Sequence, residues 1–283
     1  MQGNHYKIRI STRNELDILV EWAAKEGWNP GLYDADSFYA TDPKGFLIGF
    51  IDDEPISSIS SVAYDETFGF LGFYIVKPDY RGNGYGYQIW NEAIKQLPTQ
   101  NIGLDGVVAQ QEDYKKSGFK LAYRNIRYEG VGAKRGVSLA DIVPLSTVPF
   151  ELVQSYDDAI FPVTRPTFLA SWLRQPESLS VGMLINGKLL GYGMVRRCRT
   201  GFRVGPLFAD DEKIADCLFL KMLEFVGEDI PIFLDVPEPN QQAVKLAERY
   251  QMKPMFETAR MYTKEPPNVP IKKVFGVTTF ELG

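Results

Sequence analysis

The residues with the clearest chemical purpose are Arg81-Gly82-Asn83-Gly84-Tyr85-Gly86. They stand between an apolar strand end, Phe73-Tyr74-Ile75-Val76, and a helix. Tyr85, Ile89, Trp90, Ala93, Ile94 and Leu97 recur there at helical spacing until Pro98 ends the run. A helix N-terminus leaves its first amides unpaired and partly positive. Glycines let the backbone curl so that several N–H groups converge on one anion, and Arg81 adds a cationic fork of donors. The expected ligand group is a phosphate or pyrophosphate. Two common phosphate motifs do not fit. The spacing is G-x-G-x-G rather than the dinucleotide G-x-G-x-x-G, and no G-K-[ST] is present. Three alternating glycines with an arginine exceed what a tight strand-to-helix turn requires.

Other chemistries are excluded by scarcity. The chain of 283 residues holds one histidine, His5, and two cysteines, Cys198 and Cys217. Zinc sites built from Cys and His need four such ligands in close groups. A Ser-His-Asp or Cys-His engine would rest on His5 alone, and no G-x-S-x-G elbow occurs. Both cysteines read as small hydrophobes, and His5 as a surface residue beside the first strand. Proton traffic is therefore left to carboxylates, tyrosines or water. Lys and Arg number 31 against 36 Asp and Glu, a net charge of −5. No excess positive charge exists to displace phosphate counterions, so neither nucleic acid nor an anionic membrane is an expected partner. The first residues lack an apolar signal core and the longest apolar runs are strand-sized, so a cytoplasmic protein is expected.

The elements that must hold the glycine loop follow from periodicity. Tyr6 to Ile10 alternates as a strand. Thr12-Arg-Asn-Glu15 is a capping box, followed by a helix with Leu16, Leu19, Val20, Ala23 and Ala24 on one face up to Gly27. Strands at Phe46–Ile51, Ile56–Tyr64 and Phe68–Val76 form an antiparallel meander. After the loop and its helix come a strand (Ile102–Val108), a short helix (Gln110–Ser117) and a strand (Phe119–Tyr128). Glu129–Gly136 suits a linker. The second half repeats the order without repeating the sequence. A strand is expected at Val137–Val143 and helices at Val148–Asp158 and Thr167–Leu173. Val181–Ile185 and Lys188–Arg197 form a hairpin through Asn186-Gly187. A strand (Gly201–Phe208), a helix (Lys213–Val226), a strand (Ile232–Val236), a helix (Gln241–Tyr250) and a strand (Met255–Thr263) follow. Val269–Leu282 holds further β-type residues that pack back on a sheet.

With loop and order in place, the chain resembles the GNAT superfamily of acyl-CoA-dependent N-acetyltransferases, whose hallmark is [QR]-x-x-G-x-[GA] after the fourth strand. Arg81, Gly84 and Gly86 occupy the defining positions. Tyr114-Lys-Lys-Ser-Gly118-Phe119 is similar to the family's Y-x-x-x-G-F. Residues 6–128 carry most of the resemblance. Gly27-Trp-Asn-Pro-Gly31, Phe73–Val76 and Phe275–Gly283 are similar to a tandem subgroup whose divergent second domain is of the YitH/HolE type. The implied fold class is α/β (α+β), with two tandem GNAT-like domains at 1–130 and 137–283. Each would be a mixed, mostly antiparallel sheet flanked by helices.

The resemblance also implies a reaction. Acetyl-CoA, as acyl donor, would lie where strands four and five splay. Its pantetheine would pair near Tyr74, Ile75 and Val76, and its pyrophosphate would sit on the amides of Gly82, Asn83, Gly84, Tyr85 and Gly86, beside Arg81. A neutral amine, from a small molecule or an exposed lysine, would attack the thioester directly in a ternary complex. Tyr114 would protonate the leaving thiolate, or else serve as a core tyrosine. No metal is implied. Thr67–Val76 lacks the strand-four carboxylate many family members use as base, so the base is water-mediated or supplied from elsewhere. That gap motivates a rival reading, a non-catalytic acyl-CoA-binding regulatory protein. Asp34 and Asp36 follow the first helix, where the family places acceptor-binding residues, and loop caps or solvated charges are an equal reading for them. Trp28, Asn29 and Tyr74 are further pocket candidates.

In the second half the matching loop reads Gly205-Pro-Leu-Phe-Ala-Asp210-Asp211-Glu212. Pro206 has no amide to donate and the carboxylates repel pyrophosphate, so this copy is not expected to hold CoA. Asp235-Val-Pro-Glu238-Pro-Asn240 reads either as a strand stop with Asn240 as a natural helix cap, or as a place where Asp235 or Glu238 binds a cationic acceptor between the halves. The oligomeric state stays open.

Overall fold

A computed structural model describes residues 6–133 and 141–283. The first half runs β1 (Tyr6–Ile10), α1 (Arg13–Lys25), α2 (Asp34–Thr41), β2 (Phe46–Ile51), β3 (Glu54–Ala63), β4 (Phe68–Val76), α3 (Tyr85–Gln96), β5 (Asn101–Val107), α4 (Gln111–Lys116) and β6 (Lys120–Val131). The second runs β7 (Ile142–Pro144), α5 (Phe150–Asp158), α6 (Pro166–Trp172), β8 (Ser178–Ile185), β9 (Lys188–Arg197), β10 (Phe202–Ala209), α7 (Glu212–Val226), β11 (Pro231–Pro237), α8 (Gln241–Arg249), β12 (Lys253–Tyr262) and β13 (Val274–Gly276). His5 lies outside the described residues, as does most of the strand expected from Val137.

Local chemistry explains several boundaries. The capping box forms, with the Glu15 carboxylate accepting from the Thr12 amide at 2.8 Å and Thr12 Oγ1 from the Glu15 amide at 3.3 Å. Asn186 and Gly187 adopt φ 51° and 77°, the left-handed pair that joins β8 to β9 with the twist a two-residue hairpin needs. α2 was not legible as a helix, because only its tertiary partners bury Asp34, Ala35, Ser37 and Phe38.

Among the described residues all thirteen strands belong to one sheet, and twelve follow the order β1-β2-β3-β4-β5-β12-β6-β11-β10-β9-β8-β7, with β13 beside β10. The long strands near the middle change sides. β12, from the second half, pairs antiparallel with β5 of the first, and β6 pairs antiparallel with both β12 and β11. The expected break between residues 130 and 137 therefore does not divide the sheet. The linker expected from Glu129 is also corrected. Glu129, Gly130 and Val131 are strand residues opposite Phe233, Ile232 and Pro231.

Alternation decides which face each strand residue serves. Phe46, Ile48, Phe73 and Ile75 pack with Leu16, Leu19 and Phe38 under α1 and α2, together with Phe168, Trp172 and Met194 of the second half. Leu47, Ile59 and Leu71 point the other way, onto Ile89, Trp90 and Ala93 of α3. A separate core gathers Ile214, Leu218, Met222 and Leu246 of α7 and α8 over β10 and β11.

Candidate active site

β4 and β5 run parallel, but their pairing stops at Leu71 opposite Leu104. Beyond that point Gly72–Val76 and Asp105–Val107 form the two walls of a cleft of about 500 Å³. β4 also carries an irregularity there. Its register against β3 shifts between Ser58 and Ser60, Phe73 takes φ 47°, and the Ser58 hydroxyl donates to the Phe73 carbonyl at 2.8 Å. An extra residue in one strand bends it, turning the strand end away from its neighbour.

The glycine loop closes one end of this cleft. Gly82 and Gly84 adopt φ 79° and 81°, which L side chains rarely adopt, and nothing lies within 4 Å of where their Cβ atoms would be. Among the described residues the amides of Gly82 through Tyr87 donate to no protein acceptor. Such a run of open N–H groups at a helix start has the chemistry that suits an anion. Arg81 lines the cleft and also braces the loop. Its Nε donates to the Val76 carbonyl at 2.8 Å and its Nη2 pairs with Glu26, so the guanidinium braces the loop. Asn83 likewise bonds the Tyr80 and Arg81 carbonyls at 3.3 and 3.2 Å. Tyr85 turns its ring onto Tyr6, with centroids 4.9 Å apart.

Tyr114 enters the cleft from α4. Its ring stacks on Trp90 at 5.6 Å, and Trp90 in turn contacts Tyr74 at 5.2 Å. Its oxygen accepts from the Val107 amide. Burial, then the nearby Tyr74 and Asp113, push its phenol well above the ordinary value of 10. A tyrosine so placed stays protonated at neutral pH and has a proton to give.

Tyr74, Ile75, Val76, Arg81, Gly82, Gly84, Gly86, Tyr114 and Trp28 thus line one cavity. The remaining expected acceptor residues do not. Asn29 turns outward, where its side chain bonds the Thr200 carbonyl and amide at 2.9 and 3.0 Å. Asp36 pairs with Arg13 at 2.7 Å. Asp34 is fully buried, held by Arg196 at 2.7 and 3.1 Å and by the Gly31 amide at 2.9 Å, with Arg203 3.9 Å away. Burial pushes its carboxyl up, but Arg196 and Arg203 outweigh that and leave it below the usual range. Asp235 is buried against Arg127, with contacts of 2.6 and 2.7 Å. Both aspartates join the halves rather than awaiting a ligand, because a buried charge persists only when paired.

The second-half loop is closed to anions. The Asp211 carboxylate takes the Lys213 and Ile214 amides at 2.9 and 3.0 Å. Asn240 caps α8 as expected, at 3.2 and 3.3 Å. Cys198 is buried and Cys217 half-buried, both as free thiols. Among the described residues no His, Cys, Asp and Glu group is arranged to hold a metal ion, and no helix is long and apolar enough to cross a membrane.

Sequence reasoning missed Gly106, Thr258, Phe280 and Glu281, all of which line the cleft. The one signal was Phe280-Glu281-Leu282, a lone carboxylate inside an apolar run, which needs a buried partner.

Comparison with known proteins agrees with this geometry. Residues 14–119 match the acetyltransferase (GNAT) family and residues 153–276 match an acetyltransferase (GNAT) domain. Holothin acyltransferase of Pseudoalteromonas sp. (strain SANK 73390) is 30% identical over 271 residues, spanning 95% of this chain and 92% of that protein. A solved structure from Pyrococcus horikoshii, assigned to the acetyltransferases, superposes with a TM-score of 0.83 at 22% identity, over 100% of this chain and 97% of the other. A tandem GNAT protein of the clavulanic acid biosynthesis pathway gives 0.65 at 10% identity, over 93% and 100%. The two structures share the fold. The chain belongs to the GNAT acetyltransferase family, and it is an acyltransferase.

Proposed function

We propose that the protein transfers an acetyl group from acetyl-CoA to a primary amine, by direct attack of the amine on the thioester in a ternary complex. The supporting observation is that Gly82, Gly84, Gly86 and Tyr87 of the open-amide run, the parted edge of β4 and Tyr114 all line one cavity. In this reading the pyrophosphate rests on the loop amides, and the pantetheine runs beside Tyr74, Ile75 and Val76. The thioester then lies within reach of Tyr114. The C–N bond forms as the C–S bond breaks, and Tyr114 gives its proton to the departing sulfur. Holding both reactants in one cleft supplies most of the acceleration such a reaction needs. A cytoplasmic setting belongs to the same proposal.

The test pairs calorimetry with acetyl-CoA and thiol release against a set of amines. Holothin is a first candidate, because the 30% identical relative is named for it, followed by aromatic amines, polyamines and lysine peptides. Gly84→Asp places a carboxylate among the open amides and should weaken acetyl-CoA binding by about 30-fold, equivalent to ~2 kcal/mol, without unfolding the chain. Unaltered binding by that variant, or no binding by the native chain, overturns the proposal.

A further inference from the structure

We infer that Glu281 is the base that takes the amine proton and that Thr258 positions the amine, so the second half of the chain supplies the acceptor side of the site. The inference rests on the acyl-transfer reading above. It fills the gap left by a fourth strand with no carboxylate.

Among the described residues three carboxylates line the cleft, Glu26, Asp105 and Glu281. Glu26 is taken by Arg81 beside the glycine loop. The Asp105 side chain is fully buried and both its oxygens are engaged, by Arg260 at 2.9 and 2.5 Å and by Asn125 at 2.7 Å. Glu281 differs. Its Oε2 accepts from Arg203 at 3.1 Å and from Thr279, while among the described residues no donor reaches Oε1. Its backbone lies over Gly72, the first residue beyond the last β4–β5 pair. A Cβ at Gly72 would stand 2.9 Å from the Glu281 carbonyl carbon. Glu281 is thereby held beside the point where β4 and β5 part.

Thr258 gives a second, independent sign. It is 5% exposed, lines the same cleft and faces Val107 across the β12–β5 pairing, yet its Oγ1 has no hydrogen-bond partner. A buried hydroxyl left unpaired costs roughly 1–3 kcal/mol, a cost that a bound N–H would remove. The same cleft is also lined by the apolar Trp28, Leu104 and Phe280. The arginines beside Glu281 and Phe280 are already paired. Arg203 stands between Glu281 and Asp34, and Arg127 lies 5.0 Å over Phe280 while paired with Asp235. One free carboxylate oxygen among apolar walls suits a primary amine on an apolar body, and offers nothing to a second cationic centre.

The protons balance. The amine binds uncharged and its nitrogen attacks the thioester carbonyl carbon. The nitrogen gives its proton to Glu281, the C–S bond breaks, and the thiolate takes the Tyr114 proton. Return of one proton from Glu281 to Tyr114 through solvent restores both groups.

The experiment uses the full chain with saturating acetyl-CoA, tryptamine and spermidine as probes, thiol release for rate and calorimetry for acetyl-CoA affinity. Tryptamine should be turned over in preference to spermidine. Glu281→Gln should lower kcat about 100-fold or more with acetyl-CoA affinity within about twofold. Thr258→Val should raise the KM for tryptamine about tenfold and spare kcat. Glu281→Asp keeps a charge for Arg203 but withdraws the carboxylate, and should lower kcat even if the Gln variant fails to fold. A folded Gln variant with native kcat overturns the assignment. So does native kcat in the Asp variant when Gln does not fold, or a native enzyme that binds acetyl-CoA but turns over spermidine alone or neither amine. Failure of the native chain to bind acetyl-CoA instead overturns the underlying reading.

Discussion

A Cβ at Gly106 would stand 2.7 Å from Cδ2 of Tyr114 and closer still to Cε2. β5 is glycine at the point where the tyrosine ring crosses it, so the proposed proton donor and the bare strand are one device. Gly106→Ala should push the ring out of the cleft. We expect kcat to fall about tenfold or more, and thermal unfolding to show a loss of about 1–3 kcal/mol from overpacking. Native kcat in a folded alanine variant would show that the ring's position is immaterial.

Tyr114→Phe removes the proton and keeps the ring. The expected result is a kcat lowered about 100-fold with acetyl-CoA affinity nearly unchanged. Its pH dependence has a definite sign. Burial raises the phenol above its ordinary value of 10, so Tyr114 holds its proton to higher pH than a free tyrosine. The native rate should therefore show no alkaline decline assignable to Tyr114 below about pH 10. A decline below pH 9 that the Phe variant lacks would contradict this.

Asp34→Asn tests the buried ion pair that ties α2 to β9 and β10. Arg196 and Arg203 would lose a shared counter-charge inside the fold. Breaking such a pair costs about 3–5 kcal/mol. Denaturant unfolding should register that loss, and the KM for amine in the folded protein should stay near native. A raised KM with native stability would restore Asp34 as an acceptor residue.

Glu15 gives a pH test away from the cleft. The hydrogen bond from Arg9, aided by the Thr12 amide, lowers its carboxyl from 4.5 to about 2. A carboxyl depressed on folding adds stability above its unfolded value, and that stability is lost as pH falls toward the folded one. Glu15→Gln should be less stable than native at pH 7 by under about 1 kcal/mol, since the pair is largely exposed. The gap should close near pH 2. A gap unchanged from pH 7 to pH 2 would mean that charge plays no part in the cap.

Local signals carried the loop, the capping box, the meander and the Asn186-Gly187 turn, because each depends on residues a few positions apart. The chain order of strands and helices followed from hydrophobic period, and the loop's purpose from glycine spacing and the open amides of a helix start. The tertiary structure decided what spacing cannot encode. Asp34 and Asp235 look like ligand-binding carboxylates until Arg196 and Arg127, far away in sequence, are seen to neutralise them. Arg81 reads in the sequence as a phosphate contact alone, and only the fold shows Val76 and Glu26 engaging its Nε and Nη2 as well. The crossing of β12 between β5 and β6 brings Thr258 into the cleft, and the packing of Glu281 over Gly72 brings in a carboxylate the fourth strand lacks. A side chain's role depends on its partners, and when those lie more than a hundred residues away only the folded chain names them.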